Sequence, residues 1–120
     1  MRIYTSVLLI LVLSYFAMQP FFISGFFPMH DDTQVVRVSQ MAKALSDGHF
    51  PVRWVKDLGY GYGYPLFNFY SPLPYYVGGF INLFAIDALT STKAMMIIGI
   101  LFSGISMYFL AREFWGEIGG

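Results

Sequence analysis

The stretch that decides the fold is MHDDTQVVRVSQMAKALSDGHFPVRWVKDLGYGYGYPLFNFYSPLPYY, residues 29–76. It holds eight of the fourteen Lys, Arg, Asp and Glu residues and both histidines, and it lies between two apolar segments. Polar residues gathered between long apolar runs indicate a loop that is held at a membrane surface by apolar helices. We therefore expect the chemistry of this protein to lie in this stretch.

The composition predicts an all-α membrane protein. The chain has 120 residues, of which 57% are hydrophobic and 12% are charged, whereas an ordinary globular domain has about 25% charged residues. A formal net charge of zero argues against nucleic acid as a partner, because that binding needs clustered Lys and Arg. The absence of cysteine excludes disulfides, thiolate catalysis and cysteine zinc sites.

Three apolar segments are candidates for crossing the bilayer. The first runs from Ile3 to Met18 without a charged residue and continues past Gln19-Pro20, which gives about 25 positions for a hydrocarbon layer of ~30 Å. A cleaved signal peptide is the alternative, but no small-x-small cleavage site precedes Ser24-Gly25. We predict transmembrane helices over residues 1–28, 73–87 and 93–112, with residues 113–120 beginning a further loop.

The second and third predicted spans differ in how well they suit a crossing. Residues 73–87 are short for one, which would require a thinned bilayer or a longer helix. A polar turn at Asp87–Lys93 leads to the third span, which carries Gly99, Ser103 and Ser106 on one face. Small residues on one face suit close packing against another transmembrane helix. We therefore expect the remaining transmembrane helices of a longer, full-length protein as partners.

Within the loop of residues 29–72, an amphipathic helix is predicted over about residues 33–47, lying along the membrane interface. Asp31 or Asp32 can cap its start, and Gly48 fits the left-handed position past its end. The apolar side carries Val35, Val38, Ala42 and Leu45, and the side expected to face water carries Arg37, Gln40, Lys43 and Asp47.

Alternating glycines and tyrosines occupy positions 59–64. Because glycine adopts backbone angles that other residues avoid, we predict a folded loop here rather than a strand. The aromatic rings in and around this loop could stack on a sugar or flank a lipid tail, and an interfacial aromatic belt is the alternative. Tyr62 and Tyr64 are our candidates for contact with a substrate.

Asp31 and Asp32 are the candidates for catalysis, because they directly follow the first apolar segment. Two adjacent carboxylates can bind a divalent cation, the candidate cofactor, or one can act as general base while the other positions an acceptor. His30 could orient a carboxylate or donate to an anion. Helix capping and plain solvation are the structural alternatives for the two acids.

Arg37 and Arg53 are the candidates for binding a phosphate, because a guanidinium binds oxyanions with two parallel hydrogen bonds. Lys43 and Lys56 could join them, and contact with anionic lipid headgroups is the alternative for all four. The chain contains no Gly-rich phosphate loop, Ser-His-Asp arrangement or nucleotide fingerprint.

The order of these parts resembles the N-terminal region of the GT-C class of integral-membrane glycosyltransferases. Asp31-Asp32 followed by residues 41–51 looks like the acidic start, helix, glycine, aromatic and proline of the dolichyl-phosphate-mannose and aminoarabinose transferase group. The resemblance implies a multi-span enzyme that transfers a sugar from a polyprenyl-phosphate carrier. It also implies that Asp31 and Asp32 match the positions of a base or metal ligand.

A longer motif is similar to a family of large bacterial and archaeal membrane proteins described as "6-pyruvoyl-tetrahydropterin synthase-related membrane protein". It comprises a His-Asp start, Gly-x-Phe-Pro-x-Arg at Gly48–Arg53, and Gly-Tyr-Gly-Tyr-Pro-Leu-Phe-x-Phe-Tyr-Ser-Pro-Leu-Pro-Tyr at Gly61–Tyr75. Pterin synthases use three histidines to bind zinc, whereas this chain has two histidines. We therefore take no activity from that description.

The GT-C resemblance implies a protein of the prokaryotic plasma membrane with residues 29–72 extracytoplasmic. Charge counting points to the opposite sidedness, since that topology puts two Lys or Arg inside and five outside. Two hypotheses follow. The chain is the N-terminal part of a glycosyltransferase using a polyprenyl-phosphate-sugar donor and an envelope or glycan acceptor, or it is a non-catalytic protein that binds polyprenyl lipid or a partner in envelope assembly or export.

Overall fold

Every regular element of the structure, a computed structural model that describes residues 2–26 and 32–116, is helical. Within those ranges the only pairing of extended backbone joins Val55 to Tyr64. The all-α prediction is therefore confirmed. The elements are α1 (Arg2–Met18), a 3-10 helix (Gln19–Phe22), α2 (Gln34–Ser46), α3 (Leu66–Phe69), α4 (Leu73–Leu83) and α5 (Ala88–Trp115).

The chain divides into two compact units. We call Met1–Phe27 with Met96–Gly120 the span unit, and Pro28–Met95 the loop unit. Helix α5 contributes its first turns to the loop unit and the rest of its length to the span unit. The loop unit therefore contains the polar stretch together with residues 73–87, which the sequence predicts to be a span.

Among the described residues, two helical segments are long and apolar enough to cross a membrane. They are Tyr4–Phe22, with 19 residues, and Ala88–Trp115, with 28 residues, and in each the most apolar part is only 11% buried. Apolar surface that is left open in this way is compatible with a lipid environment. The prediction of helices with the length and apolar character of membrane spans is confirmed for these two segments, but the prediction of three is not.

The predicted second span is the short helix α4. It has 11 residues, Leu73–Leu83, which gives a length of roughly 16 Å at 1.5 Å per residue. Helix formation stops because Phe84 and the left-handed Ala85, with φ of +63°, turn the chain. The side-chain amide of Asn82 closes that turn, because its Nδ2 donates to the Ile86 carbonyl at 2.7 Å.

The predicted polar turn at Asp87–Lys93 is wrong for all but its first residue, because α5 begins at Ala88. The Asp87 side chain accepts the Thr90 amide at 2.9 Å, which caps the helix. Ser91 and Thr92 are fully buried, and their hydroxyls donate to backbone carbonyls. The polar residues in this stretch form hydrogen bonds at the start of a helix, and a polar composition alone does not distinguish such a helix start from a turn.

In the span unit, a glycine allows α1 and α5 to approach each other. A Cβ on Gly104 would lie 2.9 Å from Cγ2 of Ile10, and Ser14 nearby is 8% exposed. A Cβ on Gly99 would have no atom within 4 Å, and the predicted small-residue face of Gly99, Ser103 and Ser106 is exposed. Packing against further helices through that face stays a prediction.

The loop unit has a core between α2 and α4. Val38 and Met41 on α2 have no exposed surface. A Cβ on Gly78 would lie 2.8 Å from Val38, and one on Gly79 would lie 2.7 Å from Met41. The two glycines therefore let the helices pack closely enough to bury the larger side chains of α2. The predicted helix near residues 33–47 is confirmed as α2.

The predicted water-facing side of α2 is wrong for two of its four residues. Arg37 and Gln40 are buried, at 7% and 9% exposure. The prediction assumed a membrane on one side of the helix and water on the other. In the structure α4 covers one side of α2 and the segment that follows α2 covers part of the other, so the solvated strip is narrow.

Candidate functional site

The candidate site begins where α2 ends, at a glycine that turns the chain back. Gly48 has φ of +80°, a conformation that glycine adopts without a steric cost. Its amide donates to the Leu45 carbonyl and the His49 amide donates to the Ala44 carbonyl, both at 3.0 Å. This is the Schellman arrangement that ends many helices. The predicted left-handed position of Gly48 is confirmed.

The segment of residues 49–57 lies beside the C-terminal half of α2 because its valines point inward. Val52 and Val55 are buried, at 2% and 1% exposure, so the residues around them face outward. The Val52 amide donates to the Tyr76 hydroxyl at 2.7 Å. Val55 pairs with Tyr64 through two backbone hydrogen bonds of 2.9 Å. These bonds fix the path of the segment.

A cleft of about 200 Å³ opens between α2 and residues 49–57. Its wall carries three cationic side chains, one carboxylate, one histidine and one indole. Several cations beside an aromatic ring suit an anionic ligand that also has an apolar or flat part. The charged and aromatic residues that line the cleft are Lys43, Asp47, His49, Arg53, Trp54 and Lys56.

Two ion pairs hold the lysines of the cleft. Lys43 Nζ lies 2.6 Å from Asp57 Oδ2, and Lys56 Nζ lies 2.8 Å from Asp47 Oδ2. Gln40 Nε2 also donates to Asp57, at 2.9 Å. Hydrogen bonds from Lys43 and then Gln40 lower the pKa of Asp57, and the bond from Lys56 lowers the pKa of Asp47. Both carboxylates are therefore stabilised as anions that oppose the lysines.

Arg53 is the cation of the cleft that no carboxylate balances, within the part of the chain that the structure describes. Its carbonyl accepts the Phe67 amide at 3.2 Å, and its side chain is exposed. The indole of Trp54 packs so closely on Gly63 that any Cβ there would collide with the ring. The backbone that carries Arg53 is thus firmly held while its guanidinium donors remain accessible to an oxyanion.

Arg37 lies away from the cleft, on the buried side of α2. Its Nη1 donates to the Tyr75 hydroxyl at 3.2 Å, and its Cζ lies 4.0 Å from the centre of the Tyr70 ring. The Tyr75 hydroxyl donates in turn to Gln34 Oε1 at 2.7 Å. Arg37 therefore links α2 to α4, and the structure does not bring it together with Arg53.

The predicted catalytic acids are only partly described. His30 and Asp31 lie outside the described residues, and Asp32 is exposed in a turn before α2. The N-cap position of α2 is Thr33, which makes no side-chain capping bond. Across residues 2–26 and 32–116, no group of three His, Cys, Asp or Glu residues could hold a metal ion. The roles of Asp31 and Asp32 and the divalent cation stay predictions.

The Gly-Tyr stretch is folded as a loop, which confirms the prediction made from its glycines. The Tyr62 amide donates to the Gly59 carbonyl at 3.1 Å, and the Gly63 amide donates to the Leu58 carbonyl at 2.9 Å. Tyr62 and Tyr64 are 89% and 40% exposed, and neither lines the cleft. Their contact with a substrate stays a prediction.

Sequence reasoning singled out Arg53 but missed the residues that enclose it, namely Asp47, His49 and Trp54. A signal was present in the sequence. The glycine after α2 predicts a reversal of the chain, and a reversal would bring residues after it beside the last turns of α2. The sequence did not show that Val52 and Val55 would be buried, and their burial determines which neighbouring side chains face the cleft.

No match to this chain was found among protein-family models, curated proteins or solved structures. The two resemblances drawn from motifs therefore stay predictions.

Proposed function

We propose that this chain is the N-terminal part of a membrane glycosyltransferase, and that the cleft beside Arg53 holds the phosphate of its polyprenyl-phosphate-sugar donor. The observation that carries the proposal is an exposed guanidinium without a carboxylate partner among the described residues, in a cleft it shares with Lys43 and Lys56. Charge-assisted hydrogen bonds from Arg and Lys are the usual means of binding phosphate in proteins.

The size and surroundings of the cleft suit a headgroup rather than a whole lipid. A volume of about 200 Å³ can take a phosphate and part of a sugar, while the polyprenyl chain would stay in the bilayer that receives Tyr4–Phe22 and Ala88–Trp115. Trp54 forms an apolar wall on which a sugar ring or an isoprene unit could pack. The predicted localisation in a plasma membrane with an extracytoplasmic loop belongs to this proposal.

The ion pairs at the rim offer a way to admit the phosphate. Lys43 and Lys56 are held by carboxylates on the surface, where ion pairs are weak. An entering phosphate can take over the two ammonium groups at little cost, because it offers more acceptor oxygens than a carboxylate. Arg53 would then provide the paired hydrogen bonds, and the lysines would add charge from the side.

The chemical step would belong to the acids that precede α2. In this proposal Asp31 or Asp32 removes a proton from the acceptor hydroxyl, alone or with a bound divalent cation. A GT-C-like multi-span fold is part of the same proposal, but the crossing predicted for residues 73–87 is not required by it. Asp31→Asn and Asp32→Asn in the full-length protein should test the step, with a loss of about 10²–10⁴ in transfer rate for the base.

Binding of polyprenyl phosphate to the chain in lipid nanodiscs tests the cleft directly. Arg53→Gln should weaken binding roughly tenfold or more, because a hydrogen bond to a charged group contributes about 1.5–3 kcal/mol. Arg112→Gln, which removes the same charge from the span unit, is the matched control and should bind as the unaltered chain does. Equal affinity of all three proteins would reject the phosphate site.

The second hypothesis, a non-catalytic protein that binds polyprenyl lipid in envelope assembly or export, uses the same cleft. The two hypotheses separate in one comparison. Loss of lipid binding in Arg53→Gln, together with no sugar transfer by the unaltered full-length protein, would support binding without catalysis.

A further inference from the structure

The outer face of α4 is apolar and open. Leu73, Phe80 and Phe84 are 71%, 55% and 79% exposed. At 100° per residue these positions fall within about 40° of one another on one side of the helix. Gly78 and Gly79, which are buried, fall on the opposite side. Helix α4 therefore has one face committed to α2 and another that no described residue covers.

Helix α4 cannot leave α2 to enter a membrane by itself. Where Gly79 meets α2, an added Cβ would come within 3.2 Å of the Ala42 backbone nitrogen as well as 2.7 Å of Met41 Cγ. The Arg37–Tyr75 hydrogen bond of 3.2 Å joins the same two helices. The contact therefore involves backbone as well as side chains, and a crossing by α4 would take α2 with it.

Helix α2 is unsuited to the hydrocarbon layer. It carries Arg37 and Lys43 within 13 residues, and Asp47 follows directly. Ionised side chains at the middle of a bilayer are strongly unfavourable. Helix α4 is itself about half as long as the ~20 residues that a crossing needs. Length and packing thus exclude the same crossing for independent reasons.

Lipid is the occupant that fits the open face of α4. The face presents only aliphatic and phenyl groups, and Phe84 is followed after ten residues by Ala94, where the charge-free part of α5 begins. Because so short a connection cannot extend far, the end of α4 must stay close to the bilayer surface. A helix with one apolar face at that depth lies in the interface with that face toward the acyl chains.

We propose that α4 does not cross the bilayer but lies on its surface, with Leu73, Phe80 and Phe84 in the lipid. The part of the chain described here then crosses twice, through Tyr4–Phe22 and α5, and residues 32–87 all lie on one side. This arrangement differs from the three crossings predicted from the sequence. It goes beyond the proposed phosphate site, which requires neither two crossings nor three.

Single cysteines test the number of crossings, because the chain contains none of its own. Ser71→Cys precedes α4, Ala85→Cys follows it, and Glu113→Cys follows the apolar part of α5; all three positions are exposed. In intact cells, a membrane-impermeant maleimide should label both Ser71→Cys and Ala85→Cys or neither of them. Glu113→Cys should give the opposite result. Labelling after detergent lysis gives the maximum for each variant.

Three crossings predict a different pattern. Ser71→Cys and Glu113→Cys would then react alike, and Ala85→Cys would react oppositely, which would overturn the proposal. Polyprenyl-phosphate binding by the same variants should be unchanged in either case, so a failure here is distinguishable from a failure of the phosphate site. Labelling of Ser71→Cys in intact cells also shows whether the loop unit is outside the cell, which charge counting argues against.

A spin label on the open face tests the occupant. A nitroxide on Phe80→Cys, in the full chain in liposomes, should collide with dissolved oxygen and be shielded from an aqueous nickel chelate. Asn68→Cys is the control, because Asn68 is exposed in the loop unit and its label should favour the chelate. A Phe80→Cys label that meets the chelate, or one shielded from both reagents by protein, would overturn lipid as the occupant.

Discussion

Met107 in α5 has 57% of its surface exposed, whereas Met41 in α2 has none. The same contrast holds across the two units that contain them. In the span unit, most large side chains of the described helices are open. In the loop unit, a charged residue, an amide and two hydroxyls are buried, namely Arg37, Gln40, Ser91 and Thr92.

The contrast shows where folding specificity resides in this chain. Apolar helices that face lipid tolerate many substitutions, because any apolar side chain of suitable size meets the requirement. The loop unit is different, since its buried polar groups must each find a partner and its glycines must stay small. We therefore expect matched substitutions in the two units to have unequal effects, and the expected difference falls from the first pair below to the last.

The largest difference should come from a matched pair of methionines. Met41→Ala should lower the free energy of unfolding of the loop unit by about 2–5 kcal/mol, because it leaves a cavity between α2 and α4. Met107→Ala should change it by less than about 0.5 kcal/mol. Urea unfolding in mild detergent, followed by Trp54 fluorescence in a Trp115→Phe background, measures both. An equal decrease in the free energy of unfolding for both variants would show that the difference in burial does not produce a difference in stability.

A matched pair of tyrosines should give a smaller difference. Tyr75→Phe removes the hydroxyl that donates to Gln34 and accepts from Arg37. Arg37 is buried, with 7% exposure. Tyr75→Phe should therefore lower the free energy of unfolding by about 1–2 kcal/mol in the same assay. Tyr15→Phe, in the span unit and at 53% exposure, should leave stability unchanged. If Tyr75→Phe also had no effect, the network between α2 and α4 would not contribute to stability.

Elements that depend on local patterns could be predicted from the sequence. The apolar runs predicted Tyr4–Phe22 and most of α5, and the 3.6-residue period followed by Gly48 predicted α2 to within a residue at each end. The fate of residues 73–87 could not be predicted in this way. Their apolar character suits a span, whereas the early end of α4 at Leu83 and the contact of Gly78 and Gly79 with α2 are features that the apolar pattern does not reveal.

The candidate site divides along the same line. Arg53 was predicted because guanidinium chemistry belongs to the residue itself. Arg37 was assigned to the same role, but the structure buries it against Tyr70 and Tyr75. The cleft depends on Asp47, Asp57 and their lysines, residues 9 to 14 positions apart that meet only after the chain reverses. Sequence spacing gives no information on such meetings unless the path of the chain after the reversal is known.

The smallest expected effect concerns the acid sensitivity of the loop unit. Hydrogen bonds from Lys43 and Gln40 lower the pKa of Asp57 below its ordinary value of 3.8. A carboxyl whose pKa is lower in the folded state stabilises that state above its unfolded pKa. This stabilisation is lost as pH falls through the folded pKa. Asp57→Asn removes the titrating group, so the variant should lose less stability than the unaltered chain on acidification below about pH 4.

Melting temperatures in detergent from about pH 7 to about pH 3 measure this difference. At neutral pH, Asp57→Asn should be only slightly less stable, because exposed ion pairs contribute little. Asp47→Asn should act in the same direction, since Lys56 lowers the pKa of Asp47 in the same way. Glu113→Gln, which removes an exposed carboxyl from the span unit, is the charge-matched control because it leaves the ion pairs of Asp47 and Asp57 in place. An unchanged acid dependence in both Asp→Asn variants would mean that the rim ion pairs are too loosely held to bias the cleft, and an entering phosphate would then meet lysines that are already free.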